Sequence, residues 1–171
     1  MPSNIEIKAK INNLKKLQIL AEKISDTSCE IQYQKDIFYQ SKKGRLKLRI
    51  INSEIGNLIS YFRPDTKKAK QSNYKIFKTE NPNSLQGILS ESLEEIVTVK
   101  KKRLIYLVGQ TRIHLDEVEN LGNFMEIEVV LKPNQDSQEG HKIAKDLMEK
   151  LEIKSEDLIS CAYADLILKK K

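Results

Sequence analysis

The feature that most constrains this chain is a strict alternation of apolar and charged residues, repeated in segment after segment. Successive residues of a β-strand point to opposite faces, so such alternation marks a strand with one buried face. Over residues 4–11, Asn4, Glu6, Lys8 and Lys10 share one face, while Ile5, Ile7, Ala9 and Ile11 share the other. Residues 45–51 set Arg45, Lys47 and Arg49 against Leu46, Leu48 and Ile50, and after a turn over 52–57 the segment 58–63 returns as a hairpin partner. Further strands are predicted at 28–39, 72–79, 96–108, 110–118 and 124–131, which makes eight. Gly109 and the stretch 120–123 supply turns that make the last three an antiparallel meander.

Helices come between and after the strands. Leu14, Leu17, Leu20, Ala21 and Ile24 recur at helical spacing behind Asn13, a candidate cap, and Leu85, Ile88, Leu89 and Leu93 do so after Pro82. Ile143, Ala144, Leu147, Met148 and Leu151 form a third stripe, and 158–168 a shorter fourth that runs out into Lys169, Lys170 and Lys171. The polar, Lys-rich segment 64–72 reads as a loop. No repeat, low-complexity tract or linker divides the 171 residues, so 1–171 reads as one domain with a single core. No apolar run approaches the roughly 18 residues a membrane span needs, and the start lacks the apolar block of a secretory signal. A cytosolic or nuclear protein without membrane attachment is expected. Cys29 and Cys161 have no Cys or His at ligand spacing, so they read as reduced thiols rather than a disulfide or a zinc site.

Polar faces on antiparallel strands ordinarily just meet water. Two observations argue for more. Basic residues gather on Lys47, Arg49, Arg63, Lys101, Arg103 and Arg112 while Glu126 and Glu128 sit together on another strand, whereas solvated faces usually mix the signs. Four amphipathic helices also need apolar surface to cover, and the apolar faces of these strands can supply it. A sheet curled with those faces outward turns its charged faces inward. Such an interior must hold water and counter-ions, since two like charges about 4 Å apart repel by about 4 kcal/mol even at an effective dielectric of 20. A closed eight-stranded barrel is wide enough for one small ligand. Lys, Arg and a few carboxylates around such a lumen suit a polyphosphate with Mg²⁺ or Mn²⁺.

These residues resemble the CYTH domains, or triphosphate tunnel metalloenzymes, and within them the class IV adenylyl cyclase-like branch more than thiamine triphosphatase. The family's N-terminal Glu-x-Glu-x-Lys signature reads here Asn4-Ile5-Glu6-Ile7-Lys8, with Asn in place of the first Glu. Residues 44–49 (GRLKLR), 61–64 (YFRP), 101–103 (KKR) and above all 111–128 (TRIHLDEVENLGNFMEIE) look like the family's successive strands. The resemblance implies an α+β fold, an eight-stranded antiparallel barrel whose polar, charged tunnel takes a triphosphate and one or two Mg²⁺ or Mn²⁺ ions. Carried over by motif position, Glu6, Glu126 and Glu128 are metal ligands, with Asp116 on the neighbouring strand a weaker candidate. Lys8, Lys47, Arg49, Arg63, Lys101, Arg103 and Arg112 grip phosphate oxygens. Asn4 removes one negative charge from the metal cluster, and Phe38 stands where many members place a tyrosine, with Tyr39 pointing the other way.

Two reactions accord with that resemblance: hydrolysis of a triphosphate such as tripolyphosphate or thiamine triphosphate, and cyclisation of ATP to cyclic AMP. No residue is singled out as general base. An inactive triphosphate-binding module is the alternative, with Asn4 and Phe38 as its supporting departures. A nucleic-acid-binding barrel would use the net charge of +6, but such proteins stack bases on exposed aromatics, and aromatics are only 6% here, with no Trp. Among individual residues, His114 shares a face with Arg112 and Asp116, and His141 opens a helix as a solvated residue. Lys101 and Arg103 are expected inward with Lys100 and Lys102 elsewhere, Glu117 and Glu119 at a turn, and Tyr163 and Asp165 as packing and surface residues of the last helix, which as a plug of one tunnel mouth would bring them near ligand.

Overall fold

The alternating segments pair antiparallel at every contact and close on themselves. The structure, a computed structural model, describes residues 3–62 and 68–171. In chain order the elements are β1 (Ser3–Lys10), α1 (Leu14–Ile24), β2 (Glu30–Tyr39), β3 (Arg45–Ile51), β4 (Ile55–Phe62), β5 (Lys70–Thr79), α2 (Pro82–Ser92), β6 (Glu95–Val108), β7 (Thr111–Val118), β8 (Gly122–Val130), α3 (Ser137–Lys150) and α4 (Tyr163–Lys170). Around the barrel the strands run β1-β5-β4-β3-β2-β6-β7-β8 and back to β1. The last three form the expected meander, with Gly109, Asn120 and Gly122 at positive φ in its turns. No helix is long and apolar enough to cross a membrane among the described residues.

The barrel is inside out relative to an ordinary core: its apolar faces look outward. Ile5, Ile7 and Ala9 of β1, Ile113 and Leu115 of β7, and Met125, Ile127 and Val129 of β8 pack under Leu17 and Ala21 of α1 and Ala144 and Leu147 of α3. Ile37, Tyr39, Leu48 and Ile50 of β2 and β3 do the same under Leu85 and Leu89 of α2. Asn13 caps α1 by accepting the Lys16 N–H at 3.0 Å, and Asp136 caps α3 by accepting the Gln138 N–H at 3.0 Å. Gly140 lets α3 approach closely, since a Cβ there would fall 2.7 Å from both Ile5 Cγ1 and Leu131 Cδ2.

One end of the barrel is stoppered from within. Phe38, Val97, Val99, Val118 and Phe124 form an apolar cluster with Tyr163 and Ala164 of α4. Phe124 and Tyr163 meet with ring centroids 5.0 Å apart. The opposite end carries Ile55 and Ile76, both more than two-fifths exposed. Among the described residues, α4 thus packs across one end of the barrel and isoleucines rim the other.

Three predicted boundaries move. Asn52 and Ser53 both adopt positive φ, so the turn is tight and β4 starts at Ile55, opposite Ile51, rather than at residue 58. β5 starts at Lys70 rather than 72, because its first residues pair with β1 (Glu6 opposite Lys70) and complete the ring. The rest of the predicted loop overlaps residues 63–67, outside the described part, where Arg63 also falls. The helix predicted over 158–168 begins only at Tyr163. Leu158 bridges Ala9, and the Ile159 N–H donates to the Lys8 carbonyl at 3.0 Å, so pairing with β1 prevails over local periodicity there.

If helix α3 holds the sheet from outside, truncating Leu147, which is 2% exposed in that seam, removes core packing without touching the tunnel. Leu147→Ala is expected to lower unfolding free energy by about 2–5 kcal/mol in chemical denaturation. A loss below about 1 kcal/mol would contradict this packing.

Candidate functional site

Alternation delivers the polar face of nearly every strand to one cavity of about 420 Å³. β1 contributes Asn4, Glu6 and Lys8, β2 contributes Gln32, Gln34 and Asp36, and β3 contributes Lys47 and Arg49. Lys101 and Arg103 come from β6, Arg112 and His114 from β7, and Glu126 and Glu128 from β8. Seven Lys and Arg side chains face four carboxylates among the lining residues. The excess of positive charge makes the tunnel an anion site.

Asp36 organises the first group of cations. Arg49 donates from Nε to Oδ1 at 2.8 Å and from Nη2 to Oδ2 at 2.7 Å, while the Lys47 and Lys101 ammonium groups each donate to Oδ2 at 3.1 Å. Burial works against the Asp36 charge, but Arg49, Lys101 and Lys47 together outweigh it and hold the carboxyl well below its usual range. The lysines bear the cost of crowding. Burial and the neighbouring Arg49 bring Lys47 to about 8, and burial, resisted by Asp36, brings Lys101 to about 7.

Asp116 organises the second group. Arg103 donates to it bidentately, with both bonds 2.7 Å, and the Tyr163 hydroxyl donates to Oδ2 at 2.7 Å. Asp116 has no solvent exposure and stands behind the cavity wall, where its oxygens hold Arg103 and Tyr163. Arg103 also lies 3.6 Å from Glu126, and Lys8 lies 3.4 Å from the same carboxylate and 4.1 Å above the Tyr163 ring. Burial raises Glu126, yet Lys8 and Arg103 overcome it and keep the group ionised.

The third group surrounds Glu128. Arg112 donates to it at 2.9 and 3.1 Å, and the Asn4 amide donates to Oε1. Glu6 stands directly opposite Glu128 across the β1–β8 ladder, and Glu126 lies two residues along the same face. Like charges directly opposed on neighbouring strands repel. His114 sits between, with Nδ1 3.6 Å from Glu126 and Nε2 3.8 Å from Glu128. Burial and then Arg103 lower its pKa, which keeps the ring neutral at pH 7. Among the described residues no three carboxylate, His or Cys side chains already converge as a metal cage. The pair Glu6 and Glu128, with Glu126 adjacent, fits a hard ion that shares its coordination with phosphate and water.

The tunnel therefore gathers Lys8, Lys47, Arg49, Lys101, Arg103 and Arg112 with Glu6, Glu126 and Glu128, all singled out from the sequence. Lys100 is exposed outside, and Phe38 points inward with Tyr39 outward, as alternation predicts. Asp36 escaped. It shares the inward face of Gln32, Gln34 and Phe38, and that alternation was the available signal. Tyr163, read first as packing, lines the cavity and bonds to Asp116 because α4 plugs the tunnel end, the alternative placement of the last helix.

The CYTH domain family model matches residues 3–163, which takes in every strand and the tunnel's closed end. The chain belongs to the CYTH domain family. This CYTH protein is 26% identical over 172 residues to a Methanocaldococcus jannaschii protein named "putative adenylate cyclase", covering 95% of this chain and 97% of that one. It shares its fold with the PH1012 protein of Pyrococcus horikoshii, at a TM-score of 0.84 and 24% identity over 95% and 98% of the two chains. A Hippeastrum protein described as a "putative adenylyl cyclase" with a dominant triphosphatase activity superposes at a TM-score of 0.67 and 14% identity, over 100% of this chain and 97% of that one.

The depressed lysines give a pH signature. At pH 8 Lys101 is mostly neutral and Lys47 about half so, and a bound polyanion favours their charged forms. Binding of tripolyphosphate at pH 8 is expected to take up protons, with affinity falling as pH rises from 7 to 9. Calorimetry in two buffers of different ionisation heat measures the uptake, and zero uptake or net release would contradict the assignment.

Proposed function

We propose that the CYTH barrel binds a triphosphorylated small molecule together with Mg²⁺ or Mn²⁺ and breaks a phosphoanhydride bond within the tunnel. The convergence of three carboxylate-anchored cation groups on one cavity supports this reading most directly. An arginine fork and lysine point charges held in fixed positions need little reorganisation when phosphate oxygens arrive. In a cavity screened from bulk water their attraction for those oxygens is also stronger than at a surface.

In this reading Lys47, Arg49 and Lys101 hold one phosphate, sharing it with the Asp36 carboxylate that positions them. Arg103, steadied by Asp116 and Tyr163, and Lys8 hold the next. Arg112, partly exposed, receives the part of the chain nearest the mouth. Glu6, Glu126 and Glu128, which line the cavity, would hold the metal, while Asp116 stands behind its wall. A divalent ion, when bound, neutralises charge on the group being transferred. Hydrolysis and cyclisation both draw on that arrangement, and the names borne by the Methanocaldococcus and Hippeastrum relatives support the same pair of reactions.

Asn4 favours a second reading. Where the family signature has a carboxylate, this chain places an amide that donates to Glu128. With one negative charge fewer at the metal, a barrel that binds triphosphate and turns it over weakly, or not at all, follows from the same site.

Tripolyphosphate at a hundredfold excess over its Kd is expected to raise the melting temperature by about 5–10 °C, since only the folded barrel can bind it. Arg49→Ala should abolish the shift, and Glu128→Gln should remove its dependence on Mg²⁺ while also weakening it through the loss of the Arg112 anchor. Product analysis after incubation with ATP, thiamine triphosphate and tripolyphosphate separates the reactions, and inactivity on all three with binding retained supports the second reading. No melting shift under any condition would reject both.

A further inference from the structure

A second cavity lies on the outside of the barrel, back to back with the tunnel. It measures about 610 Å³, within the range of small-molecule sites, and sits between Asn83 and Gln86 of α2 and the outward faces of β2, β6 and β7. Alternation dictates its floor. Asp36, Lys101 and Arg103 line the tunnel, so Lys35, Lys100 and Lys102, their neighbours in sequence, fall on the opposite face of the same two strands.

The charges on that floor are not paired off. Lys35 stands opposite Lys100 on β6 and opposite Ile50 on β3, so its neighbours on the flanking strands are a like charge and an apolar residue. Like charges opposed in this way destabilise a sheet. Two acids line the far wall: Glu117, opposite Lys102 on β7, and Glu119, whose N–H donates to the Lys100 carbonyl at 2.9 Å. Among the described residues neither carboxylate forms an ion pair with these lysines, whereas elsewhere on the exterior Lys16 pairs with Glu152 and Lys150 with Asp146. Three outward ammonium groups against two carboxylates leave the cavity one positive charge in excess, concentrated where Lys35 meets Lys100.

Tyr33 supplies a different kind of surface. Its side chain is 63% exposed, opposite Lys102 and two residues from Lys35 on the same face. Asn52 fixes its backbone from both sides, donating its own N–H to the Tyr33 carbonyl at 2.8 Å and accepting the Tyr33 N–H on its side-chain oxygen at 2.9 Å. An exposed aromatic face is a platform on which a flat ring stacks. The two-residue step separates that platform from Lys35 by about 7 Å along the strand, a span that one pentose bridges between a base and its phosphate.

We propose that this exterior cavity is a second binding site, for a phosphate ester that carries a flat ring, with the phosphate between Lys35 and Lys100 and the ring on Tyr33. The phosphate is the anion that the lysine pair lacks, and lysine serves such a group as a point charge. The site uses none of the residues of the tunnel's cation groups, so it stands or falls apart from the triphosphate reading.

NMR titration of the full chain with AMP and with ribose 5-phosphate, followed at individual side chains, tests this. Expected are saturable shifts of the Tyr33 ring and of the Lys35 and Lys100 side chains, with contacts between the adenine protons and the Tyr33 ring. Ribose 5-phosphate should bind at the same lysines at least about fivefold more weakly. In variants checked for folding by their melting transitions, Lys35→Ala combined with Lys100→Ala should weaken AMP there at least about tenfold, and Tyr33→Ala should bring the two ligands to within about twofold. AMP that shifts only tunnel residues, or none, would overturn the exterior site and leave the triphosphate reading untouched. Unchanged affinity in the double lysine variant would overturn the placement of the phosphate. Equal affinity of the two ligands for the unaltered protein, or a ratio that persists in Tyr33→Ala, would overturn the placement of the ring.

Discussion

Six cations, Lys8, Lys47, Arg49, Lys101, Arg103 and Arg112, cannot share the inside of a 171-residue protein unless anions accompany them. Breaking a buried ion pair by removing one partner typically costs about 3–5 kcal/mol, because the survivor is left charged and unsolvated. In this barrel Asp36, Asp116, Glu126 and Glu128 are the accompanying anions, and each is bonded to the cations that it keeps in place. The arrangement is compensated but not neutral. Burial, more than the neighbouring like charges, lowers the lysines at Asp36, so taking these ammonium groups out of water is the main cost of the arrangement.

The inverted barrel follows from the same constraint. Strands whose charged faces turn inward need their apolar faces covered from outside, and α1, α2 and α3 do this. The fourth helix has a different task. It stoppers one end with Tyr163 against Phe124 and Phe38, and the Tyr163 hydroxyl reaches through that stopper to Asp116. The plug thus fixes the depth of the tunnel and also steadies Arg103, so the apolar end and the charged centre are built as one unit.

Much of this was legible in the residues because a period of two carries its own geometry. Once Lys47, Arg49, Lys101, Arg103, Arg112, Glu126 and Glu128 lay on alternating strands, closure of the sheet was enough to bring them together. What alternation conveys poorly is partnership. Asp36 shares its strand with Glu30 and Lys35, and only the register placing it opposite Arg49 and diagonal to Lys101 shows it as a hub. Asp116 read as a candidate ligand because sequence gives a carboxylate its face but not its bonds, and in the folded chain Arg103 and Tyr163 occupy both oxygens. Tyr163 was obscured since the apolar residues before it mimic helical spacing while pairing with β1.

The claim beneath all of this is that the charged interior is a receptacle for a polyanion and not only a set of internal ion pairs. A crystal grown with tripolyphosphate and Mn²⁺, with anomalous scattering collected at the manganese edge, tests it most directly. The account predicts phosphate density inside the barrel against Arg49, Lys101 and Arg103, with an anomalous peak beside Glu6 and Glu128. Phosphate bound only on the outer surface, with the tunnel's ion pairs undisturbed and no manganese within it, would contradict it.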